Sequence, residues 1–552
     1  MNAHVAEPLA AAVRTTCPYC GVGCGVIARP DGRAGAAIEG DPEHPSNFGR
    51  LCSKGSALGE TLGLDGRLLH PMIDGRRASW HAALAVAAEG FTRIADEHGP
   101  DAVAFYLSGQ LLTEDYYVAN KLMKGFIGSG NVDTNSRLCM ASSVAGHRRA
   151  FGADTVPGCY EDLDEAGLVV LVGSNAAWCH PVLFRRMLDA RARRGTKIVV
   201  VDPRRTATGD EADLFLPIEP GTDAALFSGL LVHLAEAGKL DRDFIESHTT
   251  GFAEALAHAR EIAPTTAATA RATGLPAPAV QAFFELFAPA ERTVTCFSQG
   301  VNQAAQGTDK VNAIINCHLA TGRIGRPGTG PFSLTGQPNA MGGREVGGLA
   351  NLLSAHRDLA NPVHRAEVAR LWGVESVPER PGKAAVQLFE AAARGEIKAL
   401  WIACTNPAQS MPDQALVRAA LERCELVVLQ EAFAHTATAR YADVLLPAST
   451  WAEKDGTVTN SERRISRVRA AITPPGEARD DWRIVADFAR RLQARLKPAL
   501  HDLFPYDSSE AVWNEHREST RGRDLDITGL SYLRLESAGP QQWPAPAGAA
   551  DD

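Results

Sequence analysis

Short, continuous apolar runs separated by polar turns are the most regular pattern in the middle of the chain. One run covers residues 168–172, and the turn Gly173-Ser174-Asn175 and a helical pattern at about 181–194 follow it. A second run, 198–201, ends at Asp202. Continuous rather than alternating apolar runs are typical of strands buried on both faces. The pattern therefore predicts a β–α–β unit within a parallel sheet.

The same order of elements returns in the second half of the chain. An apolar run at 399–403 precedes the turn Thr405-Asn406-Pro407, a helical pattern at 413–423 and another apolar run at 426–429. This pattern predicts a second β–α–β unit that mirrors the first.

A matched phrase with identical internal spacing follows each unit. The first consists of Thr206-Ala207-Thr208, Ala212-Asp213-Leu214 and Leu216-Pro217, and the second of Thr436-Ala437-Thr438, Ala442-Asp443-Val444 and Leu446-Pro447. We interpret the repetition as an internal pseudo-repeat and predict an α/β protein with two related lobes. Ligands of open α/β sheets lie beyond the carboxyl ends of the strands, so two lobes predict two similar nucleotide-like ligands. The alternative is a duplicated scaffold in which one lobe, or neither, binds.

Composition and charge exclude some classes of protein. The chain has 552 residues, of which 45% are hydrophobic and 22% are charged, as in ordinary soluble proteins. This length suggests roughly three to four domains, or one large multi-lobed enzyme. No stretch approaches the roughly 18 to 20 apolar residues of a membrane span. The net charge of −9 argues against binding to duplex nucleic acid.

The N-terminal sequence and the cysteine content bear on the cellular compartment. Residues 1–16 contain only a short apolar run at 9–13 and no twin arginine, so we expect a cytoplasmic protein. The chain has 11 cysteines, and those crowded into residues 17–52 favour cofactor ligation in a reducing compartment over a disulfide scaffold.

The N-terminal cysteines form a CxxCxxxC…C set. Its members are Cys17, Cys20, Cys24 and Cys52. Thiolates at this spacing hold an iron–sulfur cluster or a zinc ion. The glycines at 21, 23 and 25 favour a 4Fe-4S cluster, because a bulky cluster needs backbone without side chains beside it. Lys54, close to the last cysteine, is either a cation that bridges the cluster to a second cofactor or a solvated side chain.

Several longer motifs carry a resemblance to a known family. They are Leu51-Cys52-Ser53-Lys54-Gly55, Ser136-Arg137-Leu138-Cys139-Met140, the stretch from Gly336 to Glu345, Glu453-Lys454-Asp455-Gly456-Thr457 and Asn460-Ser461-Glu462-Arg463-Arg464. With these motifs and the N-terminal cysteine set, the chain resembles the bis-molybdopterin guanine dinucleotide oxidoreductases, and the likeness covers roughly residues 14–545. Within this superfamily the chain is most similar to the catalytic subunits of bacterial assimilatory nitrate reductases.

The resemblance implies a set of cofactor-binding residues. Lys54 would lie between cluster and pterin, Gln110 and Asn135 beside the metal, and Gln303 against a pterin. The remaining positions, implied to hold the two dinucleotides, are Gly173, Ser174, Asn175, Asp202, Gly221, Thr222 and Asp223 in one lobe and Asn406, Glu431, Lys454 and Asp481 in the other. Taken singly, each of these polar loop residues is more often a turn former than a ligand.

Cys139 is the implied protein ligand to molybdenum. A thiolate suits a soft, redox-active metal, and Arg137 is expected to favour its ionised form. The alternative reading is a small buried apolar side chain, and Cys179, just after the Gly-Ser-Asn turn, is a rival ligand by position. Formate dehydrogenases of this superfamily place a histidine after the metal-binding residue, whereas Met140 stands here. That difference favours oxygen-atom transfer.

The function implied by the resemblance is reduction of nitrate to nitrite at a molybdenum bis(molybdopterin guanine dinucleotide) centre fed by the 4Fe-4S cluster. The expected electron donor is an NAD(P)H-dependent flavoprotein subunit, ferredoxin or flavodoxin. Two alternatives stay open: a formate dehydrogenase or another molybdopterin oxidoreductase, and a non-catalytic electron-transfer or scaffold subunit.

The resemblance also implies a domain division. We expect a cluster domain at 1–65, one lobe formed by 66–115 and 335–490, the other lobe at 116–334, and a C-terminal extension at 491–552. The Pro- and Ala-rich last ten residues predict disorder. Relatives continue into a β-barrel that covers both dinucleotides, and we expect this chain to lack it.

Overall fold

The computed structural model describes residues 11–32 and 35–549. Residues 1–10, on which most of the cytoplasmic prediction rests, and the last three residues of the predicted disordered tail lie outside the described residues. Within the described ranges, no helix combines the length and the apolar character needed to cross a membrane.

The structure contains strands of two to six residues and helices of up to 19 residues. The strands are β1 (Val13–Thr16), β2 (Gly25–Pro30), β3 (Ala36–Gly40), β4 (Met72–Ile73), β5 (Arg76–Arg77), β6 (Val103–Leu107), β7 (Val132–Thr134), β8 (Leu168–Val172), β9 (Lys197–Val201), β10 (Leu214–Leu216), β11 (Thr293–Phe297), β12 (Gly330–Ser333), β13 (Leu352–Leu353), β14 (Arg357–Asp358), β15 (Ala399–Ala403), β16 (Leu426–Glu431), β17 (Val444–Pro447), β18 (Gly456–Thr459), β19 (Arg464–Val468) and β20 (Gln541–Gln542). The α-helices of eight or more residues are α1 (Trp80–His98), α2 (Thr113–Asn120), α3 (Ser136–Phe151), α4 (Pro181–Arg194), α5 (Asp223–Glu236), α6 (Phe252–Ile262), α7 (Thr266–Thr273), α8 (Ala277–Phe287), α9 (Gly307–Ala320), α10 (Pro362–Trp372), α11 (Ala385–Ala393), α12 (Gln414–Arg423), α13 (Asp481–Leu496) and α14 (Ser509–Ser519).

The N-terminal domain is an antiparallel meander in the order β1-β2-β3. The cysteine loop joins β1 to β2, and the Cys17 N–H donates to the Cys24 carbonyl at 2.9 Å. This bond closes the loop on itself, so three of the four cysteines leave the sheet at one end.

The first of the two lobes contains a five-stranded parallel sheet in the order β10-β9-β8-β11-β12. Every residue of β8 and β11 is buried, as their continuous apolar sequences predict. Helices α5, α8 and α9 supply the core on one face, and α4 supplies part of the core on the other. The predicted β–α–β unit is confirmed, and its helix begins and ends where the sequence placed it.

The second lobe is built on a seven-stranded sheet in the order β5-β4-β17-β16-β15-β6-β7. Strands β17, β16, β15, β6 and β7 run parallel, and the β4–β5 hairpin adds an antiparallel edge. Helices α1, α2 and α13 cover one face, and α11 and α12 cover the other. The second β–α–β unit is confirmed as well, with the Asp413 side chain capping the start of α12.

The pseudo-repeat is visible in matched contacts. The Asp213 carboxylate accepts from the Ile198 N–H at 2.9 Å, and the Asp443 carboxylate accepts from the Val427 N–H at 2.7 Å. Each aspartate thus ties the loop before the third strand of its unit to the second strand. The repeated Ala-Asp-Leu/Val phrase is explained by this shared contact.

The strand pairing corrects one predicted domain boundary. Strand β7 lies after residue 116, yet it pairs with β6 of the seven-stranded sheet, and α2 packs on the same lobe. The division between the lobes therefore falls after Thr134 rather than at residue 116. The pairing of β7 with β6 decides this assignment, and the local sequence contains no signal for it.

The predicted disorder of the last ten residues is wrong for 543–549. Strand β20 pairs with β19, and the Trp543 side chain is 1% exposed. The Trp543 indole Nε1–H donates to the Glu345 carboxylate at 2.6 Å. Beyond Trp543, the Ala545 N–H donates to the Asp526 carbonyl and the Ala547 N–H to the Thr528 hydroxyl, so this segment is held although its Pro and Ala content suggested otherwise.

Candidate active site: a cysteine cavity and the cleft between two lobes

The four N-terminal cysteines line one cavity together with Tyr19, Lys54 and Cys179. Nowhere in the described ranges do three His, Cys, Asp or Glu side chains converge as ligands of a single metal ion. The four thiols around one cavity supply the ligand set that a 4Fe-4S cluster or a zinc ion takes.

Burial disfavours the charged form of three of these thiols. It raises the pKa of the Cys17 thiol to about 12 and raises the pKa of Cys20 and Cys24 as well. A buried thiolate is stabilised when a metal neutralises it, so ligation and deprotonation occur together. Lys54 is exposed, and its ammonium lies 5.7 Å from the centre of the Tyr19 ring.

The nearby glycines serve a different purpose from the predicted one. A Cβ on Gly21 would lie 2.2 Å from the Thr335 carbonyl, and one on Gly23 would lie 2.7 Å from the Asn460 side chain. One on Gly25 would meet His44 at 2.4 Å. The glycines therefore admit neighbouring chain segments that close over the cysteine loop.

Cys139 lies in the first turn of α3, half-buried between the lobes. The Gln299 amide Nε2–H donates to its Sγ at 3.2 Å. Arg137 does not point at the thiol as expected, because its guanidinium pairs with the Asp133 carboxylate at 2.9 Å. The rival Cys179 is exposed and lines the cysteine cavity instead.

Asn135, just before α3, joins the two lobes at this point. Its Oδ1 accepts from the Gly109 N–H and from the Gln337 Nε2–H, both at 2.7 Å. Its Nδ2–H donates to the Thr405 hydroxyl at 3.2 Å. The predicted residue Gln110, next to Gly109, is exposed to the cleft.

The Gly173-Ser174-Asn175 turn directly follows β8. Gly173 has φ +54°, and Ser174 is 2% exposed with a hydroxyl that has no hydrogen-bond partner. The Thr208 hydroxyl donates to Asn175 Oδ1 at 2.9 Å and orients that amide. An unpartnered buried hydroxyl beside backbone at the carboxyl end of a parallel strand suits a phosphate ligand.

The other predicted residues of this lobe differ in availability. The Asp202 carboxylate accepts from the Arg204 N–H at 2.9 Å, and Gly221 turns the chain with φ +94°. The Thr222 hydroxyl donates to the Glu219 carbonyl at 2.7 Å. The Asp223 carboxylate is already paired, since the buried Lys310 ammonium lies 2.6 Å from it. Gln303 is exposed near α3.

The second lobe repeats the turn contact. The Thr438 hydroxyl donates to Asn406 Oδ1 at 2.7 Å, as Thr208 does to Asn175. The two repeated threonines therefore set the same amide in both lobes, which explains why their phrase is duplicated.

A buried charge network lies beneath the second lobe's turn. The Lys454 ammonium is 2.6 Å from the Asp481 carboxylate and 3.7 Å from that of Asp115. Burial would lower the pKa of Lys454, but the two carboxylates outweigh it and raise that pKa. Burial raises the pKa of Glu431 to about 7. The hydrogen bond that its carboxylate accepts from the Ala432 N–H acts in the opposite direction and lowers the pKa.

A cavity of about 320 Å³ connects this network to the cluster domain. It is lined by Cys17, Tyr19, Gln110, Glu431 and Lys454, among others. The structure thus brings together predicted residues from three parts of the chain. The Gly173 turn is not among the residues that line this cavity.

Two family models match this arrangement. The model described as Molybdopterin oxidoreductase matches residues 67–491, and the model of the Molybdopterin oxidoreductase Fe4S4 domain matches residues 10–62. The chain belongs to the molybdopterin oxidoreductase family. The molybdopterin–molybdenum cofactor and 4Fe-4S cluster of this family fit the residues present, because the cysteine cavity and the turns supply thiol and phosphate-binding groups.

Named relatives of this molybdopterin oxidoreductase include a nitrate reductase of Klebsiella oxytoca. It is 52% identical over 96% of this chain, and the chain spans 61% of its length. Two relatives are 34% identical over 96% of this chain. They are the assimilatory nitrate reductase catalytic subunit of Bacillus subtilis, of which 75% is covered, and the F420-dependent formate dehydrogenase subunit alpha of Methanocaldococcus jannaschii, of which 76% is covered.

A solved structure shows the same fold. The acetylene hydratase of Pelobacter acetylenicus superposes on 95% of this chain and 73% of its own with a TM-score of 0.76, at 21% identity. At this identity the likeness shows the fold of the molybdopterin oxidoreductase and not its reaction.

Sequence reasoning missed the residues that contact the predicted ones from elsewhere in the chain. Gln299, Gln337 and Asp115 were not predicted, although each hydrogen-bonds or pairs with a predicted residue. Asp115 had a local signal as an acidic residue at the start of a helix, and Gln337 lies within a quoted motif. No local signal marks Gln299.

Proposed function

We propose that this chain is the catalytic part of an assimilatory nitrate reductase that reduces nitrate to nitrite. The observation that carries the proposal is the 52% identity to a protein named nitrate reductase over 96% of the chain. The fold and the cleft around Cys139 support the same reading. The alternative of a non-catalytic subunit is disfavoured because both lobes keep the orienting Thr–Asn contact beside their turns.

We infer the following site assignments. Cys139 is the protein ligand to molybdenum, and the four N-terminal cysteines hold the 4Fe-4S cluster. The cofactor is a bis(molybdopterin guanine dinucleotide) with one dinucleotide in each lobe, and the residues that hold it are Lys54, Gln110, Asn135, Gly173, Ser174, Asn175, Asp202, Gly221, Thr222, Asp223, Gln303, Asn406, Glu431, Lys454 and Asp481. For Asp223, release from Lys310 would accompany nucleotide binding.

When bound, the cofactor supplies two-electron oxygen-atom transfer and the cluster supplies single electrons. The protein's own contribution is to position groups and to place no proton-accepting side chain directly after Cys139. Met140 is 2% exposed, and the Asn302 amide Nδ2–H lies 3.4 Å from its Sδ. The residue after Cys139 is therefore fixed and has no proton-accepting nitrogen. Formate oxidation needs an acceptor for a proton, whereas oxygen-atom transfer from nitrate does not use one at this position.

The partners follow from the same proposal. Nitrate is the small anionic substrate. Electrons come from outside through the cysteine cavity, whose side facing solvent carries Lys54 and Cys179. The donor is an NAD(P)H-dependent flavoprotein subunit, ferredoxin or flavodoxin, in the cytoplasm.

The test is an anaerobic assay of the full chain with reduced methyl viologen and nitrate, and with oxidised benzyl viologen and formate. We expect nitrite to form in a one-to-one ratio with nitrate consumed, and no oxidation of formate. The Cys139→Ala variant, purified in parallel with its iron content matched, should form no nitrite. Formate oxidation by the wild-type chain, without nitrate reduction, would overturn the proposal.

A further inference from the structure

A short segment after β11 lies against the first turn of α3. We name residues 298–303 the amide segment, since its sequence is Ser-Gln-Gly-Val-Asn-Gln and three of its side chains are amides. Each amide N–H donates to one of three consecutive residues of α3. The contacts are Gln303 Nε2 to the Leu138 carbonyl at 3.0 Å, Gln299 Nε2 to Cys139 Sγ at 3.2 Å, and Asn302 Nδ2 to Met140 Sδ at 3.4 Å.

Hydrogen bonds to the amide oxygens fix the orientation of two of these side chains. The Ser298 hydroxyl donates to Gln299 Oε1, which leaves Nε2 directed at the sulfur. The Ser143 hydroxyl of α3 donates to Asn302 Oδ1 at 2.5 Å in the same way. Each amide oxygen is thus occupied, and each N–H₂ group faces a sulfur atom.

Space for the Gln299 contact is left by Gly336. A Cβ at this position would lie 3.1 Å from Gln299 Nε2 and 3.6 Å from Cys139 Sγ. A Cβ here would crowd the Gln299 donor and would be in ordinary van der Waals contact with the sulfur. The glycine that opens the Gly336-Gln337-Pro338 motif therefore borders the contact directly.

The other side of the amide segment rests on the Gly173 turn. The Gly300 N–H donates to the Gly173 carbonyl at 3.0 Å. A Cβ on Gly300 would lie 2.6 Å from the Gly173 Cα, which is a backbone atom and cannot move aside cheaply. One rigid piece of chain therefore touches both the turn and Cys139.

We propose that Gln299 is a positioning residue for Cys139, and that the amide segment joins the sulfur to the Gly173 turn. An N–H donor to a metal-bound thiolate withdraws electron density from the sulfur and raises the reduction potential of the metal it holds. The expected effect on the reduction potential rests on the proposed role of Cys139 as the molybdenum ligand. The positioning contact itself rests only on the protein.

The first measurement uses the full chain without cofactor. Hydrogen exchange of the peptide containing residues 136–140 should be faster in Gln299→Met, which keeps the side-chain volume and removes the donor. Gly300→Ala should speed exchange in the same peptide by lifting the segment from Gly173. A remote variant, Gln281→Met on α8, is the matched control: it removes a half-buried amide that bonds Thr266 and Glu285, and residues 136–140 should exchange in it as in wild type.

The second measurement uses the cofactor-loaded chain. The Mo(V) paramagnetic signal of Gln299→Met should change, and its midpoint potential should shift to a more negative value than in wild type. Gln281→Met, the remote control, removes an amide donor that bonds Glu285 and not the sulfur, so its midpoint should stay near wild type.

The two measurements separate the possible failures. Unchanged exchange in both Gln299→Met and Gly300→Ala would overturn the positioning role, whatever the activity. Faster exchange in Gln299→Met with a midpoint potential equal to that of Gln281→Met would overturn the sulfur contact. If Cys139→Ala kept the wild-type Mo(V) signal, the proposed metal ligand would be wrong, and the exchange data would still decide the positioning role.

Discussion

Removing the Lys454 ammonium should destabilise the second lobe strongly. Lys454 is 7% exposed, and the Lys454→Met variant leaves Asp481 and Asp115, 1% and 2% exposed, without their shared cation. Breaking a buried ion pair by removal of one partner costs about 3 to 5 kcal/mol. For a lobe of this size that is a fall in midpoint temperature on the order of 10 °C.

The loss should grow with pH. Burial raises the pKa of Asp115 above its ordinary value, even with Lys454 in place. A carboxyl whose pKa is raised in the folded state favours folding at low pH, and that contribution is lost as the pH rises through the folded value. Lys454→Met should therefore lose more stability relative to wild type at pH 8 than at pH 5.

The assay is thermal unfolding of the cofactor-free chain, followed by circular dichroism at both pH values. Arg149→Met is the control, because Arg149 and Asp309 form a pair whose side chains are 58% and 66% exposed. Such surface pairs contribute about 0 to 1 kcal/mol. A Lys454→Met midpoint within 1 °C of the control, a threshold of about 0.3 to 0.5 kcal/mol, would refute the reasoning. Lys454→Met with Asp481→Asn should recover part of the loss.

Four further variants test the cluster, the metal ligand and the C-terminal segment. Cys20→Ser should abolish iron and sulfide binding and destabilise the N-terminal domain, since ligation is part of its folding free energy; stoichiometric zinc without iron in the wild type would contradict the cluster. Cys139→Ala should retain iron and the unfolding midpoint while nitrate reduction is lost, and Cys179→Ala should keep it; the reverse pattern in a viologen assay would move the ligand to Cys179. Trp543→Ala should cost about 3 to 5 kcal/mol, measured by urea unfolding, because it removes a buried aromatic ring and the partner of Glu345; a loss below about 1 kcal/mol would show that the segment is dispensable.

The elements predicted best are those whose signal is local. The apolar runs at β8 and β15 are continuous because both faces of each strand are buried, so sequence alone located them. The duplicated Asp213 and Asp443 phrases were detectable because each serves the same local contact. Hydrophobic periodicity and repeated spacing report such contacts directly.

The parts that could not be predicted depend on pairs of residues far apart in the chain. Gln299 and Cys139 are 160 positions apart, and nothing in either local sequence indicates the contact. Arg137 was expected to face Cys139, but its partner is the carboxylate of Asp133, four positions earlier on β7. The order of 543–549 depends on contacts with the distant residues Glu345, Asp526 and Thr528, which composition cannot show.

The contacts over the cysteine loop have a consequence for synthesis on the ribosome. The Asn460 amide donates to the Val22 carbonyl across 438 positions, and the Ser461 N–H donates to the Gly21 carbonyl. At about 5 to 20 residues per second, the ribosome needs roughly 20 to 90 s to synthesise the residues between these partners. Throughout that interval the four thiols emerge without the segment that closes over them. Iron delivery must therefore either wait for residues 460 and 461 or protect an open loop until they arrive.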